Sequence, residues 1–552
     1  MKNKTLAILA SGFATIALAQ TQASSPTPAA TFTPEQFRAH VEFLADDLLE
    51  GRDTGSRGHE IAARYVATRF EASGLKPGGE NGGWYQQVTL QKTVRGANRG
   101  RVNIIGPKGE QKFGHADNVL VSVTPTSESV DVSAKLVFVG FGVEDKRLGL
   151  DDYRGLDVKG CIVVTLRGFP KGLPSEEGAH LSATKSEIAE RHGAIGILSV
   201  ATLQAEKAQP WHRYLEYANE PNYAWVGPDG KAHDDAPGIQ VRAALHGPAA
   251  EAVFAGAPRA LADILTEADR PKASPRGFKL RTQARVSGDV SWTRVTSPNV
   301  VGLLPGADPQ LAREYIVLSG HLDHLGIKDV GGDNAAGADR INNGALDNAA
   351  GVATLLEVAR AAAAAPDKPR RSMLFLATTA EEKGLLGADY YARHPTVPLP
   401  QIVGNVDLDM PLLLYPFTDV IAFGANHSTI GKFVEQAARP MNISLSPDPM
   451  PEQGVFTRSD HYQFVRQGVP AVFFATGMAN GGDKYWGDFL ENTYHTPRDD
   501  LSQKIDWDAG ARFAEVNYRV TRAMADSDTP PLWYAGDYFG DTFAPKAKRA
   551  PR

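Results

Sequence analysis

The chain has 552 residues, of which 42% are hydrophobic and 22% charged. That composition is typical of a globular protein and disfavours disorder, collagen and coiled coil. The length argues for more than one domain, at roughly 150 residues per domain. The formal net charge of −6 is too small to indicate a nucleic-acid partner. The single cysteine, Cys161, excludes a disulfide framework and a cysteine-based metal site, and it is expected to be a buried small hydrophobe.

The first residues have the pattern of an export signal. Lys2 and Lys4 precede an uncharged stretch, Leu6–Ala19, and small residues follow it as far as Ala23. This stretch of about 14 residues is short for a membrane-spanning helix, which needs about 20, and no later segment is long and apolar enough to span. We therefore expect residues 1–23 to be a signal peptide, cut after Ala19 or Ala23. The protein would then be exported, either to the periplasm or out of the cell, with no membrane span.

The next part of the chain begins with helices and then becomes rich in strands. Apolar residues at helical spacing predict helices over Pro34–Leu49 and from His59 to about Ala72. From about Asn103 to Val290, short β-like runs alternate with turn-rich loops and one helical stretch. The β-like runs are Leu136–Phe141, Ile162–Leu166 and Ile195–Val200, and the helical stretch is Ser182–His192.

From Asn299 onward, predicted strands alternate with predicted helices. The strands are Tyr315–Ser319, Met373–Thr378, Ile402–Leu408 and Val469–Ala475. The helices are Asn348–Ala365, Lys383–Arg393, Ser428–Arg439 and Trp507–Met524. This alternation predicts an α/β fold with a mostly parallel sheet and helices on both of its faces.

Several acids and histidines lie close to the ends of these predicted strands or on nearby loops. They are His321, Asp323, Asp347, Glu381, Glu382, Asp407, Asp409 and His495. Ligands of α/β sheets bind at the carboxyl ends of the strands, so these side chains are expected to converge. A set made only of histidines and carboxylates suits a zinc site with nitrogen and oxygen ligands.

Each of these residues also has an ordinary structural interpretation. Asp347 can cap the helix that follows it, and Glu381 and Glu382 can form a solvated acidic face. In the functional interpretation, His321 binds a metal while Asp323 accepts the proton of its other ring nitrogen. One glutamate then binds metal, and the other acts on water as a general base.

The ordered set of motifs resembles the co-catalytic dizinc exopeptidases, which include bacterial secreted leucyl aminopeptidases and glutamate carboxypeptidase. The matching stretches are SGHLDHLG, GALDNAAG, TTAEEKGLLGADYYA, VDLDMP, RSDHYQF, GVPAVFFATG, YHTPRDD and the N-terminal HVEFLADDLLEGRDTGSRGHEIAARYVATRFEASGLKPGG. The segment VFVGFGVEDKRLGLDDYRGLDVKGCIVVTLRG resembles a protease-associated domain. The resemblance covers the chain from about residue 35 to 525.

The resemblance implies a fold and a division into domains. The fold is a mostly parallel mixed sheet flanked by helices, as in zinc exopeptidases, with an inserted β-rich protease-associated domain. The catalytic domain would comprise residues 34–111 and 286–530, and the insert would comprise residues 112–285. Residues 531–552 would form a C-terminal tail.

The resemblance also implies a site for two zinc ions. His321 and Asp409 would hold one ion, and Glu382 and His495 would hold the other. Asp347 would bridge the two ions. Asp409 is preferred to Asp407 because the methionine of the family motif follows it.

Further residues acquire roles from the same resemblance. Glu381 would be the general base, Asp323 would orient the first histidine ligand, and Tyr494 would hold the developing oxyanion. Asp460 and His461 match a recurrent motif near the substrate, where they could either bind substrate or brace the site.

The activity implied is hydrolysis of a terminal peptide bond. We expect an aminopeptidase that acts on peptides with a free N-terminus and an apolar first residue, because several motifs look most like the bacterial aminopeptidase branch. A carboxypeptidase is the closest alternative, but it should present an arginine cluster to the substrate carboxylate. Only Arg340, Arg458 and Arg498 lie near the proposed ligands in sequence, and they are scattered. A glutaminyl cyclase and a non-catalytic binding protein of the same architecture are more distant alternatives.

Overall fold

The structure is a computed structural model, and it describes residues 31–328 and 339–552. The predicted signal peptide lies outside the described residues. Among the helices within those two ranges, none has the length and apolar character needed to cross a membrane.

A central mixed sheet forms the larger body of the molecule. Tyr315–His321 pairs in parallel with Ser372–Thr378 on one side and with Ile402–Leu408 on the other, and Ala471–Thr476 continues the parallel order beyond Ile402–Leu408. Antiparallel strands extend the sheet on both sides of this parallel core. They are Asp419–Phe423 at one side, and the end of Phe278–Leu304 with Tyr85–Arg95 at the other. Two shorter strands complete the edges, Lys76–Pro77 and Ser444–Ser446.

Helices cover both faces of this sheet. Ala350–Ala364, Pro34–Leu44 and Trp507–Asp526 pack on one another over one face. His461–Arg466 packs against Ile402–Leu408, Ala471–Thr476 and the helix Leu386–Arg393. The remaining helices of this body are Arg57–Ala72, Ile430–Ala438, Gly482–Asp488 and Tyr538–Phe543. Because both faces are covered, Ser372–Thr378 and Ala471–Thr476 are buried along their whole length, as expected for parallel strands.

Residues 101–289, here called the inserted region, have a hydrophobic core separate from that of the central sheet. Ile162–Leu166, Gly196–Val200 and Val241–Leu245 form a parallel core between Ser129–Phe138 and Val119–Val123. The other strands of the region are Arg101–Gly106, Gly109–Gly114, Glu144–Asp145, Leu150–Asp151 and Asn222–Trp225. Its helices are Ser175–Ala183, Lys185–Arg191, Leu203–Ala208, Trp211–Glu216, Gly247–Val253 and Leu261–Ala268.

One long strand, Phe278–Leu304, joins the two bodies. Its first half pairs with Ser129–Phe138 and Arg101–Gly106, and its second half pairs with Tyr85–Arg95 and Ser372–Thr378. Val102 and Ile104 belong to the core of the inserted region. We therefore propose that the inserted domain begins near residue 101 rather than at 112.

Several local predictions differ from the structure, and three of the differences have a visible structural cause. The first helix ends at Leu44 rather than Leu49, because a separate 3₁₀ turn over Asp47–Arg52 follows it, and Leu48 is 82% exposed. The helix predicted over Ser182–His192 begins within Ser175–Ala183 and is interrupted at Thr184. Cys161 is half-buried rather than buried, because the buried strand begins one residue later.

Candidate metal centre

The candidate ligands lie at one edge of the central sheet. His321 is the last residue of Tyr315–His321, and Asp409 follows Ile402–Leu408. Asp347 lies in the helical turn Ala345–Ala349 that leads into the helix Ala350–Ala364, and Glu382 follows Ser372–Thr378. His495 follows a helical turn, Phe489–Thr493. The fold thus brings together residues that are far apart in sequence.

The side chains form two groups that share Asp347. His321 Nε2 lies 3.2 Å from Asp347 Oδ1 and 3.1 Å from Asp409 Oδ1. His495 Nε2 lies 3.4 Å from Asp347 Oδ2 and 3.2 Å from Glu382 Oε2. The two oxygens of one carboxylate therefore face two different sets of donors. Each set is compact enough for its atoms to surround one cation at the ~2.0–2.2 Å distances typical of zinc.

Glu381 lies beside the first group, with Oε2 4.0 Å from His321 Nε2. Its side chain lines the pocket together with Asp347 and Asp409. Burial and the neighbouring acids Asp409 and Glu382 raise its pKa well above the ordinary value, although His321 opposes this. A glutamate in this position can accept a proton once positive charge is placed beside it.

Asp323 contacts His321 in a different way from the one predicted. His321 Nδ1 bonds to the main-chain oxygen of Asp323 at 3.1 Å, not to its carboxylate. The carboxylate instead accepts hydrogen bonds from the Glu381 amide at 3.1 Å and from Thr54 Oγ1 at 2.9 Å. Asp323 therefore fixes the loop that carries Glu381, while its backbone orients His321.

Sequence reasoning gave no role to His324, although it lies in the SGHLDHLG motif. Its Nδ1 is 2.6 Å from Glu382 Oε1, and the ring is completely buried. His324, Asp347 and Glu382 form a group whose ligand atoms lie close enough to hold a metal ion. One oxygen of Glu382 is thus held by His324 while the other faces His495.

Asp499 was also missed, although it lies in the YHTPRDD motif. Its carboxylate accepts hydrogen bonds from the amides of Leu346 and Asp347 at 3.0 and 2.9 Å. Burial raises the pKa of Asp499 to about 6. These bonds fix the backbone of the shared carboxylate.

Arg52 holds the loops beneath the site in place through hydrogen bonds. It is 1% exposed and donates to the carbonyls of Leu322, Gly344 and Asn343, at 2.9, 3.1 and 2.5 Å, as well as to that of Leu44. The preceding Gly51 has a φ of 69°, and a Cβ there would lie 2.4 Å from the Asn342 oxygen, so only glycine allows this approach. Burial lowers the pKa of Arg52 to about 10 against the opposing effect of Asp499 and other nearby acids.

Asp407, Asp460 and His461 lie beneath the site and not in its pocket. Asp407 accepts hydrogen bonds from Ser319 Oγ and Ser459 Oγ, both at 2.6 Å, and burial raises its pKa to about 6. The Asp460 carboxylate accepts a hydrogen bond from the Thr378 hydroxyl. None of the three is more than 1% exposed, so we propose that they brace the site rather than contact the substrate.

Tyr494 and a row of apolar side chains complete the pocket. The Tyr494 ring stacks on His495, with centroids 3.8 Å apart, and its hydroxyl lies 3.5 Å from Arg458 Nη2. Burial raises the pKa of Tyr494 well above its ordinary value, so the hydroxyl keeps its proton. The apolar wall consists of Met410, Ile421, Phe423, Met450, Val455, Phe473, Trp486 and Leu490.

The inserted region also touches this site. Tyr217 Oη lies 3.2 Å from His495 Nδ1, the nitrogen that faces away from Asp347. Arg213 donates to the carbonyls of Leu490 and Glu491 at 3.1 and 2.8 Å, in the turn that precedes Tyr494. Outer partners of this kind fix the ring orientation of a histidine ligand.

Comparison with known proteins identifies the part of the chain that carries this site. Residues 299–521 match the family model described as Peptidase family M28. The chain contains a domain of peptidase family M28. The predicted zinc exopeptidase family is thereby confirmed, and the M28 domain holds all of the proposed ligands.

Two curated relatives are similar over part of their length. The chain is 25% identical to Leupeptin-inactivating enzyme 1 of Streptomyces exfoliatus over 43% of this chain and 50% of that protein. It is 30% identical to Aminopeptidase Y of Saccharomyces cerevisiae over 33% of this chain and 34% of that protein. The chain therefore spans half or less of the length of these relatives.

A solved structure extends the similarity beyond the M28 domain. The aminopeptidase from Aneurinibacillus sp. strain AM-1 matches with a TM-score of 0.51 and 19% identity, over 92% of this chain and 97% of that chain. This likeness shows the fold, and it confirms the predicted α/β class with a central, mostly parallel sheet flanked by helices.

Proposed function

We propose that this protein is a dizinc aminopeptidase that removes apolar N-terminal residues from peptides. The observation that carries the proposal is the sharing of Asp347 between two sets of nitrogen and oxygen donors. The donor set supports zinc, because it combines imidazole and carboxylate groups without thiolate. The M28 domain and the aminopeptidases among its relatives support the same class of enzyme.

Five residues of the site would bind the metal ions. His321 and Asp409 would hold one zinc ion, and Glu382 and His495 would hold the other. Asp347 would be a ligand of both ions. Zinc bound there would supply Lewis acidity toward water and toward the scissile carbonyl.

Glu381 and Tyr494 would act on the reacting atoms directly. Glu381 takes the proton of the attacking water at its carboxylate and returns it to the leaving amine. Tyr494, which keeps its proton, donates a hydrogen bond to the oxygen on which negative charge develops.

The pocket supports an aminopeptidase with a preference for apolar first residues. Asp347, Glu381 and Asp409 make one side of the pocket acidic, and this negative field favours a substrate with a free ammonium group. The opposite wall of the pocket is apolar and bounds a cavity of about 60 Å³. A leucine or similar side chain would bury its surface there.

The test is cleavage of leucyl-p-nitroanilide by the zinc-loaded full chain, compared with its N-acetylated form. We expect turnover of the free amine only, and turnover at least ~10² lower by Glu381→Gln, which retains the fold. Equal turnover of the acetylated substrate would contradict the proposal. Release of residues from the C-terminal end of peptides would instead favour the carboxypeptidase alternative.

We further propose that the protein is exported and that the inserted region is a protease-associated domain. The charged start, uncharged stretch and small residues of positions 1–23 support cleavage of a signal peptide. N-terminal sequencing of the protein from the source cell's exterior or periplasm should begin after Ala19 or Ala23. An intact N-terminus on the active protein would contradict the export proposal.

A further inference from the structure

A cavity of about 610 Å³ opens between the inserted region and the M28 domain. The inserted region supplies most of its walls, including parts of the parallel strands Ile162–Leu166, Gly196–Val200 and Val241–Leu245. The M28 domain supplies Gln453, Gly454, Thr457 and Arg458. The volume is that of a small-molecule binding site, which is typically about 300–1,000 Å³.

The charged side chains that line this cavity, among the described residues, are all basic. Its lining includes Arg167, Lys185, Arg242 and Arg458, and none of the lining side chains that the structure describes is acidic. The neighbouring cavity of about 450 Å³ differs, because acids as well as bases line it. The larger cavity therefore concentrates positive potential in a low-dielectric cleft, which attracts anions.

Two of the four basic groups are already committed to protein partners. Arg242 pairs with Asp234 at 3.0 Å. Lys185 donates to the carbonyls of Leu166 and Gly168 at 2.6 and 2.5 Å, and burial lowers its pKa to about 7. An anion in the cavity would favour its charged form.

The other two arginines make no ion pair with any carboxylate in the described ranges. Arg167 lies over the Tyr214 ring at 4.3 Å, and it donates hydrogen bonds to the Tyr214 hydroxyl and, at 3.3 Å, to Gln209 Oε1. The Arg458 side chain donates to the Tyr494 hydroxyl, at 3.5 Å. Both guanidinium groups can therefore receive a carboxylate from a ligand.

The cavity adjoins the metal pocket. Gln453 and Arg458 line both spaces, and the metal pocket also contains Asp347 and Glu381. A peptide whose first residue occupies the metal pocket can extend past Arg458 toward Arg167. Arg458, one of the arginines that are scattered in the sequence, thus shares a cavity with Arg167 of the inserted region.

We propose that this cavity is a subsite for the C-terminal carboxylate of short peptide substrates, and the proposal rests on the aminopeptidase function. Arg167 and Arg458 would bind the carboxylate, with Lys185 and Arg242 adding to the field. The enzyme would thereby prefer peptides of three or four residues with a free C-terminal acid. Guanidinium groups recognise carboxylates through charge-assisted, often bidentate, hydrogen bonds.

The experiment compares Leu-Gly-Gly and Leu-Gly-Gly-Gly with their C-terminal amides, using zinc-loaded full-length protein and following leucine release. We expect the KM of at least one acid to be about tenfold lower than that of its amide, with similar kcat, and the difference to shrink as salt screens the cavity. Arg167→Gln should remove the difference, and Arg167→Lys should keep part of it. Arg154→Gln, which changes a 78% exposed arginine of the same region, should keep all of it.

The outcomes separate this proposal from the function on which it rests. Equal KM values for acids and amides in the wild-type protein, or a difference that survives Arg167→Gln, would overturn the subsite while leaving the aminopeptidase intact. Failure to release leucine from the peptides and from leucyl-p-nitroanilide would overturn the aminopeptidase instead. Release of glycine from the free C-terminal end would also overturn the aminopeptidase function, because the arginines would then bind the carboxylate of the residue that is cleaved off.

Discussion

A buried histidine, His427, contacts residues from two other parts of the chain, and its charge should contribute to the pH dependence of stability. Its Nε2 lies 2.6 Å from Glu176 of the inserted region, and its Nδ1 lies 2.6 Å from Asp537 of the C-terminal tail. The side chain is 3% exposed. Its two carboxylates raise the pKa of His427 to about 10, although burial alone would lower it. Glu177 interacts electrostatically with His427, and Arg552 Nη2 lies 3.8 Å from Asp537 Oδ2.

The size of the effect follows from this shift. A rise from 6.5 to about 10 corresponds to about 5 kcal/mol, at ~1.4 kcal/mol per pKa unit. Because the folded pKa is raised, this stability is fully present below about pH 6.5 and is lost as the pH rises through about 10. Removal of one partner from a buried ion pair typically costs about 3–5 kcal/mol. Asp537→Asn should therefore destabilise the protein by about 3 kcal/mol at pH 6 and by less at pH 9.5.

The assay is urea unfolding at pH 6, 8 and 9.5, followed through the first tryptophan-fluorescence transition. Asp541→Asn is the matched control, because this carboxylate lies in the same tail but is 51% exposed. The control should shift the transition little at any pH. If Asp537→Asn behaves like Asp541→Asn, or keeps the full wild-type pH slope, the charged histidine does not hold these segments together.

Three further predictions concern the metal centre. Asp347→Ala should lower zinc occupancy at both positions, and elemental analysis that finds unchanged metal content would exclude a shared ligand. Glu381→Gln should retain zinc while activity falls by at least ~10², because it removes only the base; loss of metal would show that Glu381 is a ligand. Tyr217→Phe should weaken zinc binding at His495 by about tenfold or more in a chelator competition, whereas Tyr485→Phe, at an exposed tyrosine of the M28 domain, should not. Equal zinc affinity of these two variants would contradict a positioning role for Tyr217.

The sequence predicts the parallel part of the central sheet well, because its strands are short apolar runs, most of them followed closely by chemistry-bearing residues. Ile402–Leu408 has the predicted bounds, and Tyr315–His321 extends the prediction by two residues, to a candidate ligand. Parallel strands buried on both faces need continuous apolar sequence, and this signal is local. The convergence of His321, Asp347 and Asp409 follows once the strand ends are assigned to one edge.

Other features have no local signal. Phe278–Leu304 was not predicted as one strand. Its first half pairs with strands of the inserted region, and its second half pairs with strands of the central sheet. Leu48 fits a helical apolar stripe by spacing, but the 3₁₀ turn around Gly51 turns it toward solvent. The role of Arg52 depends on carbonyls up to 292 positions away, which no spacing rule connects.

The contacts of the inserted region show why the site could be predicted only in part. Tyr217 and His495 are 278 positions apart, yet their polar atoms meet at 3.2 Å. Arg213 holds the carbonyls of the turn that leads to Tyr494, and Arg167 shares a cavity wall with Arg458. The ligands themselves can be found from motifs, because metal chemistry restricts their residue types. Other residues orient the ligands and extend the pocket, and their position depends on how the inserted region packs against the M28 domain. Only the fold therefore reveals that the inserted region forms part of the proposed active site.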